Sequence, residues 1–124
     1  MNTNVRSMLV LVWLAAGACA HKPPSCPNLN SRDVAPAMGA GVAIQPVFSA
    51  STVKAWRIYN VRNSEQLKAQ GIGDGSTLTK VCGVPVSEIH AKGGDICCSA
   101  DASREFEVTF DVEGREKKFM IRRP

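Results

Sequence analysis

Five cysteines are the residues of this 124-residue chain whose chemistry can be anticipated first. Their positions are Cys19, Cys26, Cys82, Cys97 and Cys98. No two of them have the Cys-x-x-Cys spacing of a metal or redox site, and His90 is the only histidine in the part of the chain with a hydrophobic pattern. We therefore predict no metal and no cofactor, and expect the cysteines to form disulfides or to carry a covalent modification.

The amino terminus has the pattern of a signal peptide. Arg6 supplies a positive charge, and an apolar run extends from Met8 to Ala18. As a helix this run would be roughly 16 Å long, which is too short to cross a bilayer core of about 30 Å. A charged start, a short apolar run and small residues after it predict a signal peptide at residues 1–18.

Cys19 stands directly after this segment. The preceding residues, Ala15 to Ala18, are all small and resemble a bacterial lipobox. The resemblance implies cleavage before Cys19 and attachment of lipid to its thiol; ordinary signal peptidase cleavage and an uncleaved anchor helix are the alternatives. We therefore expect a lipid-anchored protein of the bacterial cell envelope that faces the periplasm. Ala20, in place of an aspartate, favours the outer membrane.

Composition divides the rest of the chain into a tether and one domain. Residues 19–40 are rich in proline, asparagine, serine and glycine and show no hydrophobic period, which predicts a flexible tether. Residues 41–123 carry the hydrophobic pattern of a single small domain. The whole chain has a net charge of +4, and about +3 remains without Arg6. This mild charge does not indicate nucleic acid binding.

Apolar and polar residues alternate in two stretches of this domain. The first stretch contains Val42, Ile44, Pro46 and Phe48. The second runs from Phe106 to Val112 and precedes a hairpin turn at Glu113-Gly114. A period of two residues predicts half-buried strands in both places.

Two short helices are expected between the strands. Asn63 or Ser64 caps a predicted helix from Glu65 to Gln70. Asp95 caps a predicted second helix from Ile96 to about Ala102. The order of strand, strand, short helix, strand, short helix, strand and strand predicts an α+β domain. We expect a small, antiparallel, partly open β-barrel of about five to six strands, flanked by the two helices.

Export to an oxidising compartment favours disulfides between the remaining four cysteines. Cys82 lies at a predicted strand end, while Cys97 and Cys98 lie on or near the second helix. We therefore expect Cys82 to pair with one of these two residues, and Cys26 to pair with the other. Adjacent residues on a helix point about 100° apart, which disfavours a bond between Cys97 and Cys98.

Residues 71–85 resemble a sequence pattern of bacterial PDZ domains. The segment reads Gly-Ile-Gly-Asp-Gly-Ser-Thr-Leu-Thr-Lys-Val-Cys-Gly-Val-Pro. It aligns without a gap to the family pattern Gly-Leu-x-x-Gly-Asp-x-Ile-x-x-Val-Asn-Gly-x-Pro. Ser76 replaces the family's aspartate and Cys82 its asparagine. The hairpin around Glu113-Gly114 resembles the family's closing hairpin.

Upstream segments narrow the resemblance. Ile44 to Phe48, Arg57 to Tyr59 and Ser64 to Lys68 are similar to the PDZ domain of the type II secretion system C protein. The similarity covers about residues 41–122. It implies the PDZ fold and associates the chain with type II protein secretion.

The resemblance implies a peptide groove. PDZ domains bind a partner segment as an additional strand, between an edge strand and the second helix. The candidate groove residues are Gly41, Val42, Ile44 and Ile96. The segment Gly39-Ala40-Gly41 is a candidate carboxylate-binding loop, although the simpler explanation of these glycines is that they end the tether.

The sequence contains no catalytic motif. It has neither a Gly-x-Ser-x-Gly elbow nor a phosphate-binding glycine loop. We therefore expect a docking module that binds a protein or peptide segment in the envelope, and not an enzyme. One alternative is a structural envelope lipoprotein with a PDZ fold and no working peptide groove. A thiol-based redox or metal carrier is the least favoured alternative.

Overall fold

The computed structural model describes residues 26–124. The predicted signal peptide, the predicted lipidation residue Cys19 and the first part of the predicted tether lie outside the described residues. Within residues 26–124, no helix combines the length and the apolar character needed to cross a membrane.

The described part of the chain contains eight strands and three short helices. Their bounds are β1 Leu29–Asn30, α1 Val34–Met38, β2 Ala43–Ser49, β3 Thr52–Tyr59, α2 Glu65–Ala69, β4 Ser76–Val81, β5 Val84–Pro85, α3 Val86–Ala91, β6 Asp95–Ile96, β7 Glu105–Val112 and β8 Arg115–Arg122. Two 3-10 turns occupy Ser31–Asp33 and Val61–Asn63.

Six of these strands form one antiparallel sheet. The order across it is β2-β3-β4-β7-β8, and β5 pairs with β4. Because β2 and β8 do not pair with each other, the sheet is open. β1 and β6 form a separate two-stranded sheet. The prediction of an antiparallel, partly open α+β domain is confirmed, with a third helix and the small second sheet in addition.

The β7–β8 hairpin forms where the alternation predicts it. Phe106, Val108 and Phe110 share one face of β7 and are at most 2% exposed. Glu113 and Gly114 both have positive φ, at 53° and 81°. Two positive φ angles in succession match the right-handed twist of the flanking strands. The predicted turn is therefore confirmed.

Helix α2 begins and ends as its sequence predicts. The Ser64 hydroxyl accepts a hydrogen bond from the Leu67 N–H at 3.2 Å, which caps the first turn. Gly71 has a φ of 73° after the last turn, and the Ile72 N–H donates to the Leu67 carbonyl at 3.0 Å. This ending brings the side chains of Leu67 and Ile72 into the core.

Residues 26–38, which we call the strap, correct the predicted tether. Leu29, Val34 and Met38 are at most 5% exposed and belong to the hydrophobic core. A flexible tether cannot contribute buried side chains to a core. Residues 29–38 therefore belong to the folded domain, and the tether ends before them.

Helix α3 takes the place of the second helix that was predicted from Ile96 to Ala102. It follows Pro85 directly, and its residues Val86 and Ile89 are fully buried. These two residues are three apart, so they lie on the same face of the helix.

Residue Ile96 lies in a strand and not in a helix. It is fully buried in β6, opposite Leu29 of β1. Gly93 and Gly94 precede β6 with φ angles of 71° and 92°, a conformation that a helix does not contain. The helix predicted from Ile96 to Ala102 is therefore wrong, because the strap supplies a strand partner that the sequence analysis had placed in the tether.

Two disulfides join the four cysteines of the described residues. Cys82 is bonded to Cys98 and Cys26 to Cys97, and the Cα atoms of each pair are 5.1 Å apart. This is one of the two pairings that the sequence leaves open. Within residues 26–124, no three histidine, cysteine, aspartate or glutamate residues are grouped so that they could hold a metal ion.

Candidate functional site

Strand β2 forms one edge of the six-stranded sheet. Within residues 26–124 it pairs only with β3, so its outer side has no partner strand. None of its seven residues is charged, and five of them are exposed. Phe48 is 59% exposed. An uncharged edge strand with unpaired backbone groups can accept a further strand.

Strand β8 forms the opposite edge and is protected. The charged residues among its eight are Arg115, Glu116, Lys117, Lys118 and Arg122. The Gln66 side chain also occupies its outer side: Oε1 accepts from the Arg122 N–H at 2.5 Å, and Nε2 donates to the Arg122 carbonyl at 2.9 Å. Charged side chains and occupied backbone groups disfavour strand addition. The two edges therefore differ, and β2 is the one that is open.

Helix α3 packs against β3, the neighbour of β2. Trp56 on β3 lies opposite Pro46 on β2, so their side chains share a face of the sheet. Trp56, Ile89 and His90 line a cavity of about 290 Å³, together with Ser31 of the strap. The residues that line this cavity include none of β2.

The predicted groove residues occupy different environments. Gly41 is exposed with a φ of 80°, and Ile44 is half-buried on β2. Val42 is 9% exposed and belongs to the core. Ile96 is fully buried on β6, so it cannot line a groove. The prediction for Ile96 depended on the misplaced helix and is corrected here.

Several backbone groups of the glycine loop before β2 form hydrogen bonds within the domain. The Gly39 N–H donates to the Ala35 carbonyl at 3.4 Å, and the Val42 N–H donates to the Gly39 carbonyl at 3.3 Å. Asn60 Nδ2 donates to the Gly41 carbonyl at 2.8 Å. These bonds fix the entry into β2, and they occupy the Gly39 N–H, one of the three amides of the candidate carboxylate-binding loop.

Comparison with known proteins identifies the fold. No family model and no curated protein matches the chain. Among solved structures, the PDZ domain of EpsC from Vibrio cholerae aligns with a TM-score of 0.50 and 15% sequence identity, and the alignment covers 65% of this chain and 92% of that chain. The chain has a PDZ-like fold. The sequence pattern at residues 71–85 therefore indicated the correct fold.

Helix α3 packs against β3, the strand next to the open edge, and sequence analysis missed its contribution to the cavity beside Trp56. Ile89 and His90 both border the cavity next to Trp56, but Ile89 is fully buried, so of these two only the exposed His90 could contact a partner. The signal that could have located them is the three-residue spacing of Val86 and Ile89, which places both on one face of a helix. A six-residue helix is too short for this spacing to stand out from a strand pattern.

Proposed function

We propose that this chain is a protein-binding module that takes up an extended segment of a partner along β2. The observation that supports the proposal best is the contrast between the two sheet edges. Among residues 26–124, β2 is uncharged and has no partner strand on its outer side, whereas β8 is charged and its outer side is partly occupied by Gln66. Pro46 and the register shift between Val47 and Phe48 protect β2 in part, but within residues 26–124 it has no charged side chain and no covering segment. It is therefore the less protected edge and the better candidate for strand addition.

Pro46 predicts which backbone groups of β2 are available. A proline on an edge strand places its nitrogen on the outer side, because it has no N–H to give to the ladder. In an antiparallel ladder, outward positions recur every second residue. Ile44 and Phe48 therefore offer both N–H and C=O to a partner, and Pro46 offers only its carbonyl.

The same positions define the side chains that a partner would meet. Ile44, Pro46 and Phe48 alternate along the strand, so they share a face with Trp56. This face is apolar, and Phe48 is 59% exposed on it. A partner segment with apolar residues at alternate positions would bury them there, while its backbone completes the ladder.

The cellular setting of this binding is also a proposal. The signal peptide pattern and the lipobox support a lipid anchor at Cys19 on the periplasmic side of an envelope membrane. The resemblance to the type II secretion system C protein supports a partner within that secretion apparatus. Intact mass of the protein expressed in a bacterium tests the anchor: we expect a diacylglycerol-modified chain that begins at Cys19, and an unmodified mature chain would contradict it.

Nuclear magnetic resonance of the isotope-labelled full chain tests the binding mode. The probe is a short peptide, blocked at both ends, in which valine and threonine alternate. We expect it to shift the amide signals of Ala43–Ser49 and to leave those of β8 in place. The substitution Phe48→Lys removes an apolar contact and adds a charge to the edge, so affinity should fall by about tenfold, or 1.4 kcal/mol.

Met120→Lys is the matched control, because Met120 is 48% exposed on the protected edge. It should leave the affinity for the peptide unchanged. Equal losses in both variants, or signal shifts confined to β8, would contradict binding at β2. A folded chain that binds no such peptide in any variant would favour the alternative, a structural lipoprotein without a working groove.

A further inference from the structure

The two disulfides differ in their exposure to solvent. Cys26 and Cys97 are both exposed. Cys98 is only 3% exposed, and its partner Cys82 is half-buried. Disulfide exchange requires a thiolate to reach one of the two sulfur atoms, so accessibility governs its rate. In the folded domain, the bond between Cys26 and Cys97 is the accessible one.

A cleft of about 320 Å³ borders this exposed disulfide. Its other lining residues are Pro27, Val84, Glu88, Lys92 and Asp95. Pro27 and Val84 provide apolar surface for a partner's backbone or side chains. Lys92 contributes one positive charge to the cleft, and Glu88 and Asp95 contribute two negative charges, so solvent access and not local charge distinguishes this disulfide.

The disulfide fastens the amino-terminal end of the strap. Besides the disulfide, the buried side chain of Leu29 and hydrogen bonds to the segment after α3 hold this end. Asn28 accepts from the Cys98 N–H at 2.7 Å and donates to the Cys98 carbonyl at 2.9 Å. The Ser31 N–H donates to the Gly94 carbonyl at 2.7 Å. Strands β1 and β6 pair over two residues each. Such a short set of contacts can open without unfolding the sheet.

We propose that the Cys26–Cys97 disulfide is a thiol-exchange site for a dithiol, either a protein with two cysteines or a small dithiol reductant. A thiolate of the dithiol attacks one sulfur of the pair, forms a mixed disulfide with it, and releases the other cysteine as a thiolate that takes up a proton. The second thiol of the reductant loses its proton and attacks the mixed disulfide. The reductant leaves as a disulfide, and Cys26 and Cys97 remain as two thiols.

Opening of this bond frees the amino-terminal end of the strap. Ser31, which lines the cavity beside Trp56, then belongs to a segment that the disulfide no longer holds in place. The buried Cys82–Cys98 bond stays closed and continues to hold the end of β4 to the segment after β6. The exchange site thus loosens one segment while the six-stranded sheet persists, and it is independent of the binding proposed at β2.

Timed reduction of the native full chain tests the selectivity. Dithiothreitol is the probe, free thiols are trapped with N-ethylmaleimide, and each cysteine is assigned by peptide mass spectrometry. We expect Cys26 and Cys97 to be labelled together, at least about tenfold faster than Cys82 and Cys98, because the buried pair reacts only after local opening. Equal rates for the two pairs, or faster labelling of the buried pair, would overturn the proposal.

A double variant and a second measurement complete the test. The variant with Cys26→Ser and Cys97→Ser should lose the fast-reacting pair and keep the slow one. After selective reduction of the unsubstituted chain, amide hydrogen exchange should accelerate in β1 and β6 and stay unchanged in β7. Unchanged exchange in β1 would refute release of the strap, and accelerated exchange in β7 would refute the persistence of the sheet.

Discussion

At the scale of single residues, Ser64 and Thr109 are the two buried polar residues of the described chain, at 1% and 0% exposure. The Ser64 hydroxyl forms two hydrogen bonds. It caps α2 by accepting from the Leu67 N–H, and it donates to the carbonyl of Met38. Thr109 Oγ1 has no hydrogen-bond partner in residues 26–124. A buried hydroxyl without a partner costs free energy, and one that joins two segments contributes stability.

Replacement of Thr109 by valine should stabilise the domain. Valine keeps the volume of the side chain and removes the unpartnered hydroxyl, so we expect a gain of about 1 kcal/mol in the free energy of unfolding. Thr79→Val is the matched control. Thr79 Oγ1 donates to the Thr109 carbonyl at 3.2 Å, so loss of this hydroxyl should lower the free energy of unfolding. Urea unfolding followed by circular dichroism measures both variants, and a loss of stability in Thr109→Val would show that its hydroxyl is satisfied.

Replacement of Ser64 by alanine should destabilise the domain by about 2 kcal/mol, because the helix cap is lost and the Met38 carbonyl is left buried without a donor. Ser51→Ala, at an exposed site in the turn between β2 and β3, should change the free energy of unfolding by less than about 0.5 kcal/mol. Thermal and urea unfolding give both values. Equal stabilities of the two variants would mean that Ser64 does not join α1 to α2.

At the scale of elements, the parts of the fold that the sequence predicts are those with a long pattern or a specific terminal residue. The β7–β8 hairpin has both, through the alternation from Phe106 and the turn at Glu113-Gly114. Helix α2 has a serine cap and a terminal glycine. The strap could not be predicted in this way, because its buried residues Val34 and Met38 are few and stand among proline, asparagine and glycine.

The second helix was misplaced for a related reason. Asp95 is a good helix cap in sequence, but its segment has a strand partner in the strap, and tertiary pairing overrides local preference. Of the candidate site, sequence analysis predicted the strand that forms the edge, β2, and the groove role that it assigned to Ile44 stays a prediction. It could not supply Trp56, Ile89 and His90 together, because their contact depends on the placement of α3 against β3.

The junction of the strap with β6 depends on Gly94. A Cβ at this position would lie 2.5 Å from Ser31 Oγ, whereas a Cβ at Gly93 would meet no atom within 4 Å. Both glycines have positive φ, so alanine is strained at either site. Gly94→Ala should therefore lower the free energy of unfolding more than Gly93→Ala does, because the Ser31 hydroxyl must also move away. Urea unfolding compares the two, and equal costs would show that the strap does not rest on Gly94.

At the scale of the whole molecule, the strap makes the domain larger than its sequence pattern suggests. Small domains bury little apolar surface, so each additional buried side chain matters. Leu29, Val34, Ala37 and Met38 add to the core from the amino-terminal side. The long-range disulfide from Cys26 to Cys97, 71 residues apart in sequence, fixes this addition covalently. A chain that begins at residue 41, the predicted start of the domain, would lack all of these contributions.

Truncation tests this extension of the domain. A chain of residues 26–124 should unfold at a higher urea concentration than a chain of residues 41–124, which loses the buried side chains of the strap. Full burial of each large apolar side chain contributes about 1.5–3 kcal/mol, so the shorter chain should be less stable by several kcal/mol and should bind a hydrophobic dye. Indistinguishable unfolding of the two chains would show that the strap does not belong to the folded domain.

The central claim is that β2 accepts a foreign strand, and interstrand nuclear Overhauser contacts measure it most directly. The full chain is isotope-labelled, and the blocked valine–threonine peptide is left unlabelled. We predict backbone contacts from the peptide to Ile44 and Phe48, at the spacing of a paired antiparallel or parallel strand. Contacts from a bound peptide only to β8, to the strap or to the cleft beside Cys97 would contradict the claim.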